Sequence, residues 1–219
     1  MSAGRLALID VDGTLTPVRS IWQHLLEQSG AWSGAGEANL AQYVAGEISY
    51  EQFCQLDALL FRGQRYEDLV AIAAAVPLVP GAAELVAGLQ RSGFHVALVS
   101  TGLRVLTTPL AERLGADSSI ANDLETAAGV CTGRAVVEID EADKGIHARR
   151  LIDDHGGAFT VAIGDGTGDV PMFREADLAI AVGAASSTVA AAAHHHHRDP
   201  VLTDLLALIE TAADDRVTA

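Results

Sequence analysis

The sequence is poor in basic residues and has no long apolar run. Lys and Arg together account for 14 of the 219 residues against 29 Asp and Glu, so the formal net charge is −15 with His taken as neutral. A chain this acidic repels nucleic-acid phosphates and anionic lipid headgroups, and no local basic patch offsets the repulsion. No apolar stretch reaches the roughly 20 residues that a membrane-spanning helix needs. We therefore expect neither a nucleic-acid partner nor a membrane partner.

Cysteine is also scarce, and the N-terminus shows no secretion signal. The two cysteines, Cys54 and Cys131, form no CxxC pair and lack the Cys/His spacing of a metal site. The first residues lack a basic stretch followed by an apolar run and a cleavage site. These absences favour a reduced, cytoplasmic protein with both cysteines buried. We expect a monomer or a homodimer.

Apolar residues make up 49% of the chain, which is enough for one sizeable core. Four short runs are continuously apolar rather than alternating, as is typical of strands buried on both faces. These runs are Arg5–Asp10, Phe94–Ser100, Phe159–Asp165 and Leu178–Val182. Amphipathic stretches at Val79–Arg91 and about Lys144–His155 predict helices beside the strands. The pattern predicts an α/β fold with a doubly wound parallel sheet.

The part of the chain between residues 16 and 78 has a different pattern. It contains no strand-like run, and its apolar residues recur at spacings of three and four, as they do on one face of a helix. We predict a discontinuous core domain of residues 1–15 and 79–219, with an all-helical cap domain inserted between its two parts. Near the middle of the core, the glycine-punctuated segment Asn122–Glu138 predicts a β-hairpin.

Carboxylates and a serine lie at or just beyond the ends of three of the predicted strands. They are Asp10, Asp12, Ser100, Asp165 and Asp169. In open α/β sheets ligands bind beyond the carboxyl ends of the strands, so these side chains are expected in one crevice. Four carboxylates held together repel one another unless positive charge is supplied. Mg²⁺, a hard cation that prefers oxygen ligands, is the simplest source, and Lys144 is a second one.

The order of these motifs resembles a known superfamily. The segment DVDGT beginning at Asp10, then Ser100, Lys144 and the segment GDGTGD beginning at Gly164, is similar to the four motifs of the haloacid dehalogenase superfamily. Further segments resemble its phosphoserine phosphatase branch: Leu110–Gly115, Ala121–Gly133 and Gly164–Phe173. The resemblance implies a Rossmann-like core with a helical cap between the first and second motifs.

The resemblance also implies the chemistry of the carboxylates. Asp10 is expected to attack phosphorus and form an aspartyl-phosphate. Asp12 is expected to protonate the leaving oxygen and later to accept a proton from the attacking water. Mg²⁺ is expected to be bound by Asp10, the backbone carbonyl of Asp12, and Asp165. The implied activity is hydrolysis of a small phosphorylated metabolite.

The remaining matched residues are expected to hold the phosphate. Ser100 and the backbone amides around Gly13, Thr101 and Gly102 would bind phosphoryl oxygens. Lys144 would neutralise charge on the transferring group, and Asp169 would orient Lys144 or a water.

Three positions depart from the phosphoserine phosphatase pattern. Arg19 stands where that branch usually has a Glu that accepts the substrate's ammonium, and Asp57 aligns with an Arg that binds the substrate's carboxylate. Gly168 stands where the branch usually has Asn. Because like charges repel, the two reversals predict that phosphoserine is rejected. They favour a sugar, polyol or related phosphate as the substrate.

Three other functions stay open. The chain can be a phosphoserine phosphatase after all, or a phosphotransferase or mutase in which another acceptor intercepts the same intermediate. It can also be a non-catalytic metal- or ligand-binding protein on the same fold. The run His194–His197 offers imidazole ligands for the last function, but four adjacent helical positions do not share a face. We therefore expect an exposed run without a metal-binding role.

Overall fold

A computed structural model describes residues 4–32, 34–155 and 157–218. Its centre is a seven-stranded sheet with the strand order β4-β3-β2-β1-β5-β6-β7. All neighbouring strands are parallel except β3 and β4, which are antiparallel. The strands are β1 (Arg5–Ile9), β2 (Phe94–Leu103), β3 (Ser118–Ala127), β4 (Val130–Val136), β5 (Phe159–Gly164), β6 (Leu178–Val182) and β7 (His195–His197).

Ten α-helices connect or cover the strands in the described part of the chain. They are α1 (Ile21–Gln28), α2 (Gly34–Val44), α3 (Tyr50–Leu60), α4 (Tyr66–Ala74), α5 (Ala82–Arg91), α6 (Arg104–Leu114), α7 (Asp143–His155), α8 (Val170–Phe173), α9 (Ser187–Ala192) and α10 (Leu205–Thr218). None of these helices combines the length and apolarity that crossing a membrane requires.

The central strand β1 is buried on both faces. Ala7 and Ile9 belong to one hydrophobic cluster and Leu6 and Leu8 to a second one, and all four side chains are fully buried. Helices α5 and α10 contribute to the first cluster, whereas α7, α8 and α9 contribute to the second. A strand covered on both faces needs apolar residues at every position, which is the pattern that the sequence shows.

The structure confirms the predicted parallel sheet and the predicted hairpin. The two residues between β3 and β4, Ala128 and Gly129, have φ values of 50° and 78°. Two successive positive φ values give the backbone twist that suits a two-residue hairpin turn. The crossover helix predicted from Val79 begins later, at Ala82, because Gly81 before it has a φ of 81° and is outside helical geometry.

The run His194–His197 lies at the edge of the sheet, where no strand was predicted. Three of these residues form β7, a short edge strand that pairs in parallel with β6. The ring of His194 accepts a hydrogen bond from the backbone N–H of Ala179 at 2.8 Å, and His196 Nε2 lies 3.1 Å from the carbonyl of Gly183. These imidazoles satisfy backbone groups at the edge of the sheet, so the run has a structural role.

Helices α1 to α4 all lie between β1 and α5, within residues 16–78. Two of these helices, α1 and α3, begin after a serine N-cap. Ser20 accepts a hydrogen bond from the backbone N–H of Gln23, and Ser49 forms a reciprocal capping box with Gln52. The division into a core and a cap at residues 15/16 and 78/79 remains a proposal.

The β3–β4 hairpin supports this helical region. The side-chain amide of Gln55 on α3 makes two hydrogen bonds with the backbone of Ala135 on β4, at 3.0 and 3.1 Å. The loop before α4 pairs with the hairpin through Gly63 N–H to Cys131 carbonyl at 2.9 Å. These bonds place the helices over the carboxyl edge of the sheet, where the strand-end residues lie.

Candidate active site

Strands β1 and β5 bring the predicted carboxylates to one edge of the sheet. The backbone N–H of Asp10 donates to the carbonyl of Ile163 at 2.9 Å, which extends the pairing of the two strands to the point where they end. A cavity of about 250 Å³ opens above this edge. Its lining includes nine of the predicted site residues: Asp10, Asp12, Arg19, Asp57, Thr101, Gly102, Lys144, Asp165 and Asp169. Ser100 and Gly13 are not among the lining residues.

Lys144 connects two carboxylates, Asp10 and Asp169, on the floor of the cavity, which is the part formed by the carboxylates that follow β1 and β5. It lies in the first turn of α7, and its Nζ atom is 2.5 Å from Asp10 Oδ1 and 2.7 Å from Asp169 Oδ1. All three side chains are almost fully buried. Burial opposes the charge of Lys144, but the two carboxylates outweigh it and raise its pKa above the ordinary value. The lysine therefore stays protonated and fixes the orientation of Asp10.

The floor is still short of positive charge. Burial, followed by the negative charges of Asp169 and Asp165, raises the pKa of Asp10 well above its ordinary value, although Lys144 opposes the shift. Burial is also the largest cause that raises the pKa of Asp165 to about 6, and Asp169 adds to it. One lysine does not compensate the cluster, so a cation has a place here.

The donor set of this cluster fits Mg²⁺. One carboxylate oxygen from each of Asp10, Asp165 and Asp169 lies within 4.8 Å of the others. Hard divalent cations take carboxylate and carbonyl oxygens of this kind. Asp169 has the least capacity left for a cation, because Oδ1 accepts from Lys144 and Oδ2 accepts from the backbone N–H of Gly166 at 2.9 Å. Its contacts match the supporting role that the resemblance implies.

Asp12 connects the floor to the helical region. Its Oδ2 accepts a hydrogen bond from the backbone N–H of Ile21, the first residue of α1, at 2.8 Å. Its Oδ1 is buried and has no hydrogen-bond partner among the described residues. Burial is the main cause that raises the pKa of Asp12 to about 6. One oxygen is thus held in place while the other remains available inside the cavity.

The turn after β1 requires a glycine beside Asp165. Gly13 has a φ of 83°, and a Cβ atom there would collide with the carboxylate of Asp165. Thr14, the next residue, donates from Oγ1 to Asp165 Oδ1 at 3.2 Å. Thr14 was not among the predicted site residues; its place in the first motif was the available signal.

The end of β2 forms a second wall. The backbone N–H of Gly102 donates to Ser100 Oγ at 2.9 Å, and both residues are buried. The carbonyl of Thr101 accepts from Tyr50 Oη at 2.6 Å and from Asn122 Nδ2 at 2.9 Å. Tyr50 lies on α3, so the position of the helical region and the shape of the β2 end are coupled.

Asn122 is a residue that sequence reasoning missed. It is fully buried, and its amide also donates to the carbonyl of Ile139 at 2.9 Å. Its Oδ1 accepts from the backbone N–H groups of Glu138 and Ile139 at 2.8 and 3.0 Å. It therefore locks the end of β2 to the chain that leads into α7. A second neglected signal is that Lys144 is the only lysine in the chain.

The two charge-reversed positions both line the cavity but differ in exposure. Arg19 is exposed at the rim, and its positive charge is one of the causes that lower the pKa of Asp165 against the larger effect of burial. Asp57 lies on α3, is 1% exposed, and accepts a hydrogen bond from Asn39 Nδ2 at 2.9 Å. Burial raises the pKa of Asp57 to about 6.

Comparison with known families identifies the arrangement. The profile of one family, haloacid dehalogenase-like hydrolase, matches residues 7–174, which include every predicted residue of the cavity floor. The chain belongs to the haloacid dehalogenase-like hydrolase family.

Relatives within the haloacid dehalogenase-like hydrolases include phosphoserine phosphatases. The chain is 37% identical over 189 residues to one from Streptomyces coelicolor, covering 83% of this chain and 45% of the relative. It is 34% identical over 183 residues to one from Mycobacterium tuberculosis, covering 82% of this chain and 44% of the relative. The chain therefore spans about half the length of these curated relatives.

A solved structure shares the fold over nearly the whole chain. It shows a phospho-aspartyl intermediate analogue of phosphoserine phosphatase and superimposes with a TM-score of 0.82 at 26% identity, covering 95% of this chain and all of the other. The predicted doubly wound core and its helical insertion are thus those of a haloacid dehalogenase-like hydrolase.

The glycine at position 168, where the phosphoserine phosphatase branch usually has Asn, has a local explanation. A Cβ atom at this position would lie 3.0 Å from Cγ of Glu141, which also lines the cavity. The side chain of Glu141 therefore occupies the space beside the last motif, where a larger residue at position 168 would point.

Proposed function

We propose that the chain is a Mg²⁺-dependent phosphomonoesterase that works through an aspartyl-phosphate on Asp10. The observation that carries the proposal is the floor of the cavity. There the Asp10 carboxylate is fixed by Lys144 at 2.5 Å, with Asp12 and Asp165 lining the same cavity. A carboxylate held in one orientation at the end of a buried strand is suited to attack a phosphorus atom positioned above it.

The reaction divides into two displacements. In the first, the Asp10 carboxylate attacks phosphorus and the bond to the leaving oxygen breaks. Asp12 Oδ1, which has no partner among the described residues, gives its proton to that oxygen. In the second, Asp12 takes a proton from water, and the water oxygen displaces Asp10 from phosphorus. The bond from Asp12 Oδ2 to Ile21 N–H keeps the side chain in position for both steps.

Positive charge stabilises the transferring phosphoryl group. Lys144 supplies one fixed charge, and Asp169 holds it through a 2.7 Å contact. Mg²⁺, held by Asp10, Asp165 and the carbonyl of Asp12, would supply the remaining positive charge that a phosphoryl dianion needs.

Two aromatic residues help to keep bulk water away from the site. The side chains of Tyr50 and Trp22 donate hydrogen bonds to the Thr101 carbonyl at 2.6 and 3.3 Å, and all three residues line the cavity.

The names of the relatives favour phosphoserine as the substrate. The curated relatives at 37% and 34% identity are phosphoserine phosphatases. This supports the alternative that the sequence analysis placed second, and it weakens the sugar or polyol phosphate that the charge reversals favoured. One observation still speaks for the second candidate class: Arg19 and Asp57 both line the cavity with the reversed charges.

Phosphate release from a panel of esters tests the proposal. Purified protein is assayed with phosphoserine, sugar phosphates and polyol phosphates, with Mg²⁺ and with a chelator. We expect Mg²⁺-dependent release that Asp10→Asn abolishes, with phosphoserine among the better substrates. Release that persists in Asp10→Asn would contradict the mechanism. Transfer to an added alcohol in place of water would support the phosphotransferase alternative, and inactivity on every ester would support the non-catalytic one.

A further inference from the structure

Lys144 and Arg19 are the two basic residues that line the cavity, and both act on the strand-end carboxylates. Lys144 contacts Asp10 and Asp169, and the charge of Arg19 acts on Asp165, so both lie where the phosphate is proposed to bind. Asp57, which the helical region contributes, lines the same cavity. A ligand that fits this arrangement has its phosphate beside Lys144 and a positive group at the Asp57 end.

Asp57 has no cationic partner within the described chain. Its neighbour Asn39 is neutral and donates one hydrogen bond, and no described Lys, Arg or His forms a salt bridge with the carboxylate. The residue is nevertheless 1% exposed. A buried carboxylate without a counterion is costly, as its raised pKa of about 6 shows. A cation delivered by a ligand removes that cost.

Aromatic rings surround the same end of the cavity. Tyr43 and Phe53 stack with centroids 5.0 Å apart and planes 6° from parallel, and Tyr50 meets Tyr43 edge-on at 5.7 Å. Trp32 lines the cavity with them. The negative faces of aromatic rings attract organic cations and offer few hydrogen-bond partners to a sugar or polyol. Glu141, close to the Tyr43 hydroxyl, adds a second negative charge.

We infer that this end of the cavity binds the ammonium group of the leaving alcohol, with Asp57 as its counterion. The substrates are then phosphate esters of amino alcohols, with phosphoserine as one member, an inference that rests on the proposed function. The reversal at Asp57 does not reject an ammonium group; it moves the acceptor for that group to α3. A ligand whose only charged group at this end is a carboxylate is disfavoured by the charge of Asp57.

A series of non-hydrolysable phosphonates tests this without turnover. 3-Aminopropylphosphonate, n-butylphosphonate and 4-phosphonobutyrate share one phosphonate and one three-carbon chain, and end in ammonium, methyl and carboxylate. Calorimetric titration in the presence of Mg²⁺ gives the three affinities. We expect the ammonium compound to bind about 10- to 100-fold more tightly than the methyl compound, the range of a hydrogen bond to a charged group. The carboxylate compound should bind most weakly.

Two variants separate a ligand role from a structural one. Asp57→Asn keeps the size of the side chain and its oxygen for Asn39, and it should remove the preference for ammonium over methyl. Glu51→Gln removes the same charge from an exposed position on the same helix, outside this cavity, and should leave the affinity order unchanged. If Asp57 only joins α2 to α3 through Asn39, neither variant changes the order.

The outcomes distinguish this inference from the proposed hydrolysis. Equal affinities for the three phosphonates in the natural sequence, or no binding of any of them, would overturn the inference whether or not esters are hydrolysed. These affinities are measured on the protein with its natural sequence, so a variant that fails to fold does not block the test. The expected affinity order together with no hydrolysis of any ester would leave the inference standing and refute the phosphatase.

Discussion

Replacement of Lys144 by Met should destabilise the protein strongly even without a substrate. The lysine lies 2.5 Å from Asp10 and 2.7 Å from Asp169 and is 3% exposed, so its removal leaves two buried carboxylates without their shared counterion. Breaking a buried charge pair typically costs about 3–5 kcal/mol. For a chain of 219 residues this corresponds to a melting temperature lower by roughly 6–20 °C.

Urea unfolding in a metal-free buffer measures the effect. A control on the same helix is Arg149→Met, which removes an exposed ion pair with Glu175 and should change stability little. In the Lys144→Met background, added changes of Asp10 and Asp169 to Asn should restore most of the lost stability, because the buried negative charges are then gone. If Lys144→Met lowers the free energy of unfolding by less than about 1 kcal/mol, the range of a surface ion pair, Lys144 is not the buried counterion of Asp10 and Asp169.

Three further predictions concern the walls of the cavity. Gly102→Ala should lower kcat/KM at least about 100-fold in a steady-state assay, because the new Cβ would lie 2.8 Å from Ile21 Cγ2 and 2.9 Å from Asp12 Oδ2 and a misplaced reacting group costs that much. Gly34→Ala is the control, because a Cβ atom there meets open space. Equal activities of the two variants would contradict the placement of Asp12. Tyr50→Phe, which loses the 2.6 Å hydrogen bond to the Thr101 carbonyl, should lower kcat/KM about fivefold, as one neutral hydrogen bond predicts, and an unchanged value would show that the contact does not act on the site. Asp57→Asn should stabilise the protein: burial raises the pKa of Asp57 from 3.8 to about 6, so the folded state loses stability relative to the unfolded state as pH rises through that range. The variant's advantage in urea unfolding should therefore grow by about 1 kcal/mol between pH 5 and pH 8, and a constant difference would show that Asp57 is not buried as a charge.

The strands that could be read from continuous apolar runs are those buried on both faces. β1 and β5 have apolar residues at every position, so the runs identify them as central strands without further information. β3 begins with two serines and β7 consists of histidines, and neither pattern resembles a buried strand. Their pairing depends on the neighbouring strand that offers a free edge, which local sequence does not encode.

The candidate site divides in the same way. Carboxylates that follow parallel strands meet at one edge of the sheet for topological reasons, so Asp10 and Asp165 were predictable as neighbours. The contacts of Asp57 with Asn39 and of Asn122 with Thr101 and Ile139 were not, because each joins residues at least 17 positions apart that only the tertiary fold brings together. The same holds for Gln55 and Tyr66, which bond the helical region to the β3–β4 hairpin.

Direct detection of a phosphorylated Asp10 tests the central claim. The protein is mixed with Mg²⁺ and a hydrolysed phosphate ester, quenched in acid within the first turnover, digested and analysed by mass spectrometry. The mechanism predicts one phosphoryl group on the peptide that contains Asp10, labile to hydroxylamine and missing in Asp10→Asn. Phosphoryl transfer to another residue, or full turnover by Asp10→Asn, would contradict it.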